Sequence, residues 1–564
     1  MAAPEQEAVL IPLFDPRDEV GVVFEVDPSS VKLNLEGGAA SQGGGRCEVG
    51  EFVVLDCGEA AVVGRLMRVQ LSEADRLGAD NREGSMAPIG TVQLLTTIRL
   101  PTRDVAAGVE VYPPLGARAY AADTSLIRSI AEASSDSNGT RPVVLDIATL
   151  ADGTPTGLAP EKLFGRHCAV LGTTGGGKSW TLARLIEAAA EFRSKIILLD
   201  PTGEYYTLDS GAKHVSLGGR DRPEGAVEAI FPYRDLLEDD LIALFRPDTR
   251  VQLAKMRAAI KSLKLAEIVG YSSPLVAGNG CIPKAGQPKA PFDAEYHDHI
   301  EEIETPEATF DVELLPIQIR LECVWPSEGL TPGERARWGE PRVDELSECD
   351  ALMARIEQHL SAPEYACLFR SDGLSSFSSV VRAFLDSDDR VLRVSLRQLA
   401  FTGSTREIVV NAIGRHLLQL GRAGEFDQAP LVVLIDEAHQ FLNRAVGEPW
   451  WSHALDSFEL IAKEGRKYAL TACLATQRPR DLPEGVLSQM GTFIVHRLVD
   501  DADREIVERA SGEVDREAAK FLPSLGPGQA VVIGADLSMP FTLHFRPPTR
   551  PPDSRGPDYQ KYWR

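Results

Sequence analysis

The string Gly172-Thr173-Thr174-Gly175-Gly176-Gly177-Lys178-Ser179 has the spacing G-x-x-x-x-G-K-[ST], a set of residue types suited to holding a chain of phosphates. Glycines so placed let successive backbone N–H groups turn toward an anion, and a helix that starts there adds the positive end of its dipole. Lys178 brings a charge to the β- and γ-phosphates, and the Ser179 hydroxyl is placed for Mg²⁺. Gly172, Thr174, Gly175, Gly176, Gly177, Lys178, Ser179 and the adjoining Trp180 are therefore the expected nucleotide contacts, with ATP and Mg²⁺ as ligands. The flanks suit the motif. Cys168 to Leu171 is a short apolar run of the strand type, and Leu182, Leu185, Ile186 and Ala189 fall near one face of a following helix.

Acidic groups appear where such a site needs them. Leu431-Val-Val-Leu-Ile-Asp436-Glu437 is an apolar strand ending in two carboxylates, the Walker B pattern. In it Asp436 serves the Mg²⁺ shell and Glu437 polarises the attacking water. Lys195 to Asp200 is a second apolar strand, continuing as Asp200-Pro-Thr-Gly203-Glu204-Tyr205. Its two carboxylates either face the ligand edge of a doubly wound sheet or form and cap the turn itself. Thr471 to Gln477 ends another core strand in an amide suited to sensing a γ-phosphate. His297-Asp298-His299 and Cys281 match no standard zinc spacing and read as ordinary residues of an acidic loop.

The elements that must position these groups follow from periodicity. Residues 1–135 show short Val/Leu-rich runs at 20–25, 31–35, 51–55, 60–69 and 91–100 separated by turn clusters, which predicts a small β-barrel. Residues 136–210 begin an α/β core, and residues 386–545 resume it with strands at 390–396, 431–435, 471–476, 492–498 and 529–534. Between them, 211–385 reads as an inserted helical subdomain with helices over 236–269 and 344–359 and a long, partly irregular acidic excursion. A Pro-rich tail, 546–564, closes the chain as either a packing strap or a disordered end.

Across 564 residues the chain is 43% hydrophobic and 25% charged, values of a soluble globular protein with ample core. No apolar run reaches the roughly 20 residues of a membrane span. The acidic start lacks signal-peptide order, and the eight cysteines form no C-x-x-C pair, so a cytoplasmic protein with reduced thiols is expected. A net charge of −24 weighs against a nucleic-acid partner until its location is considered. Asp293 to Asp350 holds 17 Asp/Glu against four Arg and no Lys, so −13 of the total lies there. The basic positions Arg250, Lys255, Arg257, Lys261 and Lys264 read as a solvated helix face in preference to a DNA contact.

Gly172 to Ser179, Asp-Pro-x-Gly-Glu-Tyr at 200–205, Asp436-Glu437-Ala438-His439, Glu464-Gly465-Arg466-Lys467-Tyr468, Ala475-Thr476-Gln477-Arg478-Pro479 and Leu487-Ser488-Gln489 together resemble the HerA family, hexameric DNA translocases related to FtsK. The resemblance spans nearly the whole chain except about 270–345. It implies an α/β fold: a RecA-like P-loop core with an N-terminal small β-barrel, here with an inserted helical subdomain. By position it makes Glu437 the catalytic carboxylate, Gln477 the sensor, Arg466 a finger reaching a neighbouring subunit's nucleotide, and Arg166 a second arginine near the phosphates. Thr202 stands where many members have His. The implied activity is ATP hydrolysis by a ring, a hexamer, that translocates or unwinds double-stranded DNA, with a nuclease or other effector as partner. The alternative is an ATPase ring that assembles and gates a sirtuin-like or nuclease effector in anti-phage defence. DNA-stimulated hydrolysis without a partner separates the first from the second.

Overall fold

The computed structural model describes residues 13–35, 48–71, 88–106, 108–134, 142–173, 175–209, 211–306, 308–370, 373–400, 402–442, 444–448, 450–511, 517–554 and 559–563. The chain divides into two units: 1–194 with 471–552, and 195–470 with 553–564.

The first unit opens with strands β1 (Glu19–Val26), β2 (Ser30–Leu35), β3 (Phe52–Asp56), β4 (Ala60–Gln70), β5 (Ile89–Arg99), β6 (Val105–Ala106) and β7 (Arg118–Ala121). They run in the order β2-β1-β7-β3-β4-β5, and β2 pairs back onto β5, which closes a six-stranded antiparallel barrel with β6 on its edge. Closure removes the open edges a small sheet would expose. Val23, Leu33, Val53, Leu55, Val62 and Val92 fill the interior. Arg65, which is buried, ties the barrel to the rest of the unit. Its guanidinium lies over Phe521 at 4.2 Å and donates to Thr542 Oγ1 at 2.7 Å, and burial lowers its pKa to about 10.

The rest of this unit has mixed strands in the order Leu470–Thr476, Cys168–Leu171, Thr492–Val495, Gln529–Ile533, Phe541–Phe545, Leu145–Thr149, Pro155–Leu158. Cys168–Leu171 pairs in parallel with both neighbours and is buried on both faces, as a continuous apolar run requires. The remaining strands join antiparallel. Three of them, at 145–149, 155–158 and 541–545, go beyond the strands read from the sequence.

The strands of the second unit pair in parallel, ordered Ser375–Ser376, Val227–Ile230, Ala212–Leu217, Val391–Ser395, Lys195–Asp200, Leu431–Ile435. Its helical part differs from expectation in two ways. The predicted helix 236–269 is two helices, Glu238–Phe245 and Arg250–Val269, broken where Arg246 takes a left-handed φ of 50° ahead of Pro247. The acidic excursion carries helices at Lys289–Asp298, Ile300–Ile303, Leu315–Glu322 and Pro332–Arg335.

Carboxylates of that excursion and of the preceding helix meet the basic helix. Lys255 pairs with Glu345 at 2.7 Å, Lys261 with Glu304 at 2.7 Å and Arg257 with Asp239 at 3.2 Å, so the basic helix face meets carboxylates of its own unit. Buried Lys284 lies 3.1 Å from the Phe292 ring centroid and 4.4 Å from that of Trp338, and desolvation lowers its pKa to about 8. Among the described residues no helix is long and apolar enough to cross a membrane.

Candidate nucleotide site

In the first unit the loop after Cys168–Leu171 is built from backbone. Gly175 and Gly177 have φ of +76° and +108°, a region that strains any other L-residue. A Cβ on Gly172 would stand 2.6 Å from His496 Cβ, so the loop packs against that histidine at a distance only glycine allows. Lys178, buried, opens the helix Lys178–Ala190, whose N-terminal N–H groups receive no side-chain cap. An uncapped helix start under a glycine loop is an anion site by construction. Ser179 is half-buried behind it, and Trp180 is 43% exposed. Thr174 lies outside the described residues.

His496 was not singled out in the sequence, where it is one polar residue ending the strand Thr492–Val495. It forms the wall behind the loop. Its Nδ1 lies 2.9 Å from the Gln529 carbonyl and its Nε2 2.9 Å from Thr181 Oγ1. The carbonyl can only accept, so Nδ1 carries the proton and Nε2 accepts from the Thr181 hydroxyl. Burial, aided by the nearby Lys178 charge, lowers the pKa to about 4, and the imidazole is neutral. A neutral wall leaves Lys178 as the charge offered to an anion.

Gln477 is half-buried and follows directly on Leu470–Thr476, beside the P-loop strand. Arg166 is exposed and pairs with Asp536 at 3.1 Å. It precedes Cys168–Leu171 and the glycine loop follows that strand, so the two lie at opposite ends of one strand. Arg166 thus sits at the end of that strand remote from the glycine loop.

The second unit holds the carboxylates, positioned by side chains. Asp200 is fully buried and accepts the N–H groups of Gly203 at 2.8 Å, Glu204 at 3.2 Å and Tyr205 at 3.0 Å. It also takes Arg393 Nε at 2.7 Å, with both side chains at 0% exposure. Of the two readings of Asp200, the structure selects the turn-former. Arg393 goes on to the Arg222 carbonyl at 2.7 Å and to Asp221 at 3.5 Å. Tyr205, also buried, donates its phenol to Asp436 Oδ2 at 2.8 Å. Asp436 Oδ1 accepts the Glu437 N–H at 2.8 Å. Glu437 has left-handed backbone, φ 48° and ψ 42°, and its carboxylate lies 3.4 Å from His439 Nδ1. A glutamate there costs of order 1 kcal/mol, and such strain persists where the surroundings impose it.

Arg466 is exposed in a 3-10 turn, Gly465–Tyr468, and its guanidinium forms no ion pair among the described residues. Gly465 is needed for close approach and keeps an ordinary φ of −54°: a Cβ would stand 2.7 Å from the Leu470 carbonyl oxygen. The left-handed residue of the turn is Ala469, φ 52°. Glu464 binds Arg422 and braces the base of the turn.

Within the first unit, a cradle in which a Cβ would clash, a buried lysine and a hydroxyl beside it suit the phosphates of Mg²⁺-ATP; within the second, Asp436 is an oriented carboxylate of the kind that holds Mg²⁺. The family described as Helicase HerA, central domain, matches residues 145–275, and Helicase HerA-like C-terminal matches 414–555. The chain is a HerA-like P-loop ATPase. It is 24% identical over 402 residues to the probable DNA double-strand break repair helicase HerA of Methanocaldococcus jannaschii, covering 68% of this chain and 72% of that one. It is 24% identical over 390 residues to the DNA double-strand break repair helicase HerA of Saccharolobus solfataricus, covering 67% and 63%. Among solved structures, VirB4 of Thermoanaerobacter pseudethanolicus aligns at a TM-score of 0.44 and 15% identity over 73% of this chain and 98% of that one.

Proposed function

We propose that this HerA-like chain is the subunit of a hexameric ring motor that hydrolyses ATP to move along or unwind double-stranded DNA. The observation that carries the reading is the pair of Asp436 and strained Glu437, two adjacent carboxylates closing an apolar strand, in a chain that also builds a phosphate cradle. The backbone N–H groups of Gly175 to Lys178 and the Lys178 ammonium hold the phosphates. Ser179 and Asp436 would hold Mg²⁺, which when bound neutralises charge on the β- and γ-phosphates. Glu437 orients the attacking water and takes its proton, and Gln477 senses the γ-phosphate. Arg466 and Arg166 act on a neighbouring subunit's nucleotide, a role suited to an exposed guanidinium. A cytoplasmic setting and an effector enzyme, a nuclease or a sirtuin-like protein in phage defence, belong to the same proposal. The barrel leaves Tyr112 and Leu115 exposed at 51% and 70%, apolar side chains suited to a protein partner.

The test is hydrolysis with and without duplex DNA by the wild type, Arg466→Ala, Glu437→Gln and a mixture of the two variants. Arg466→Ala should bind ATP and lose roughly 10³-fold or more in turnover. Mixed rings should regain activity, because some interfaces combine an intact Glu437 with an intact Arg466. Demonstrated mixed rings that stay inactive would show that the arginine does not act in trans. A wild type indifferent to duplex DNA would move the reading to the effector-gating ring.

A further inference from the structure

The Asp200–Tyr205 turn ends on a side chain with no role in the mechanism above. Tyr205 is wholly buried, and its hydroxyl points at the carboxylate on which the metal site depends. An ionised carboxylate only accepts, so the phenol donates, and the bond fixes the rotation of Asp436 about its last torsion. The other oxygen, Oδ1, receives the Glu437 N–H. One bond from Tyr205 thus sets the plane of Asp436 and, through it, the left-handed backbone of Glu437.

Tyr205 is in turn held rigidly. Its own N–H is bound by Asp200 Oδ2, the oxygen that also takes Arg393 Nε. Gly203, at φ +79°, allows the tight turn under Arg397, whose Cδ would stand 2.8 Å from a Cβ there. Arg393, Asp200, Tyr205, Asp436 and Glu437 form one line of contacts within one unit.

We infer that Tyr205 is a positioning residue for the Asp436–Glu437 pair, and that its phenol O–H sets how strongly Mg²⁺ assists nucleotide binding and hydrolysis. The inference rests on the ATPase reading above. A hydrogen bond to a charged group contributes enough that its loss should change metal-dependent binding about tenfold. Phe keeps the ring and its packing and removes only the donor.

The test uses the full-length protein and Tyr205→Phe. Nucleotide affinity is measured in EDTA and in Mg²⁺, together with the Mg²⁺ midpoint of hydrolysis and thermal unfolding. Affinity in EDTA and unfolding should stay near wild type. The tightening by Mg²⁺ should shrink and the Mg²⁺ midpoint rise, each by about tenfold, with turnover reduced even at saturating Mg²⁺. Tyr205→Leu should lose stability as well, and Phe should restore stability without restoring metal response. Wild-type Mg²⁺ dependence in Tyr205→Phe overturns the inference while leaving the ATPase reading intact. An unfolded Tyr205→Phe also overturns it, since packing would then account for the residue. A wild type that neither binds nor hydrolyses ATP overturns the ATPase reading and this inference with it.

Discussion

The glycine cradle of the first unit and the carboxylate cluster of the second are built by opposite means. Around Gly172 to Lys178 the determinants are steric: positive φ at Gly175 and Gly177, contact with the flank of His496, and an uncapped helix start. Around Asp200 to Glu437 they are polar: a fully buried ion pair, a phenol, and carboxylates that bind backbone N–H groups. A backbone cradle fails when an atom is added. A polar scaffold fails when a partner is removed, because the group left behind stays buried and charged.

The sharpest way to break this contrast is Arg393→Met. Removing the guanidinium strands Asp200 at 0% exposure, and the second unit should lose roughly 3–5 kcal/mol of stability, read from denaturant unfolding. Less than about 1 kcal/mol would mean that the ion pair is replaceable by packing and that the polar account of this half is wrong.

A subtler lesion belongs to the cradle. Gly172→Ala places a methyl 2.6 Å from His496 Cβ and forces the loop to shift. Overpacking of this kind costs about 1–3 kcal/mol, which should appear as roughly tenfold to hundredfold weaker nucleotide binding. Wild-type affinity would show that the loop has room the structure denies it.

The contrast also extends to pH. His496 is neutral in the fold, with its pKa lowered to about 4 from 6.5. Below pH 6.5 the unfolded chain takes a proton that the folded site refuses, so stability present above 6.5 is lost as pH falls toward 4. Over that window the loss approaches about 3 kcal/mol. Urea unfolding of wild type and His496→Gln at pH 7.5 and 5 isolates the contribution, since other titrating groups are common to both. Equal pH slopes would place a charged histidine behind the loop.

How much of this could be read from the chain depends on whether a residue's surroundings are local. The P-loop, the Walker B strand and the barrel strands announce themselves because each is a run of neighbouring residues with a period or a spacing. Asp200 was visible, though its role was undecided between ligand edge and turn, and the three N–H groups it accepts, together with the Arg393 pairing, decide it. Arg393 carries no local signal beyond a charge inside the apolar run Val-Leu-Arg-Val-Ser, and His496 none beyond a polar residue at a strand end. A buried cation in a core strand demands a buried anion, so Arg393 offered a clue that its partner existed without naming it. The basic helix 250–264 had the same ambiguity, resolved here by Glu304 and Glu345 from distant sequence.

The most direct test of the central claim, that Lys178 and its cradle bind while Glu437 drives hydrolysis, is ATP binding and single-turnover hydrolysis by Glu437→Gln. The substitution keeps size and hydrogen-bonding capacity and removes the base. Binding should match wild type, and hydrolysis should fall by roughly 10²–10⁴. Hydrolysis at the wild-type rate with binding intact would contradict the account, because the strained carboxylate beside Asp436 would then have no part in the chemistry.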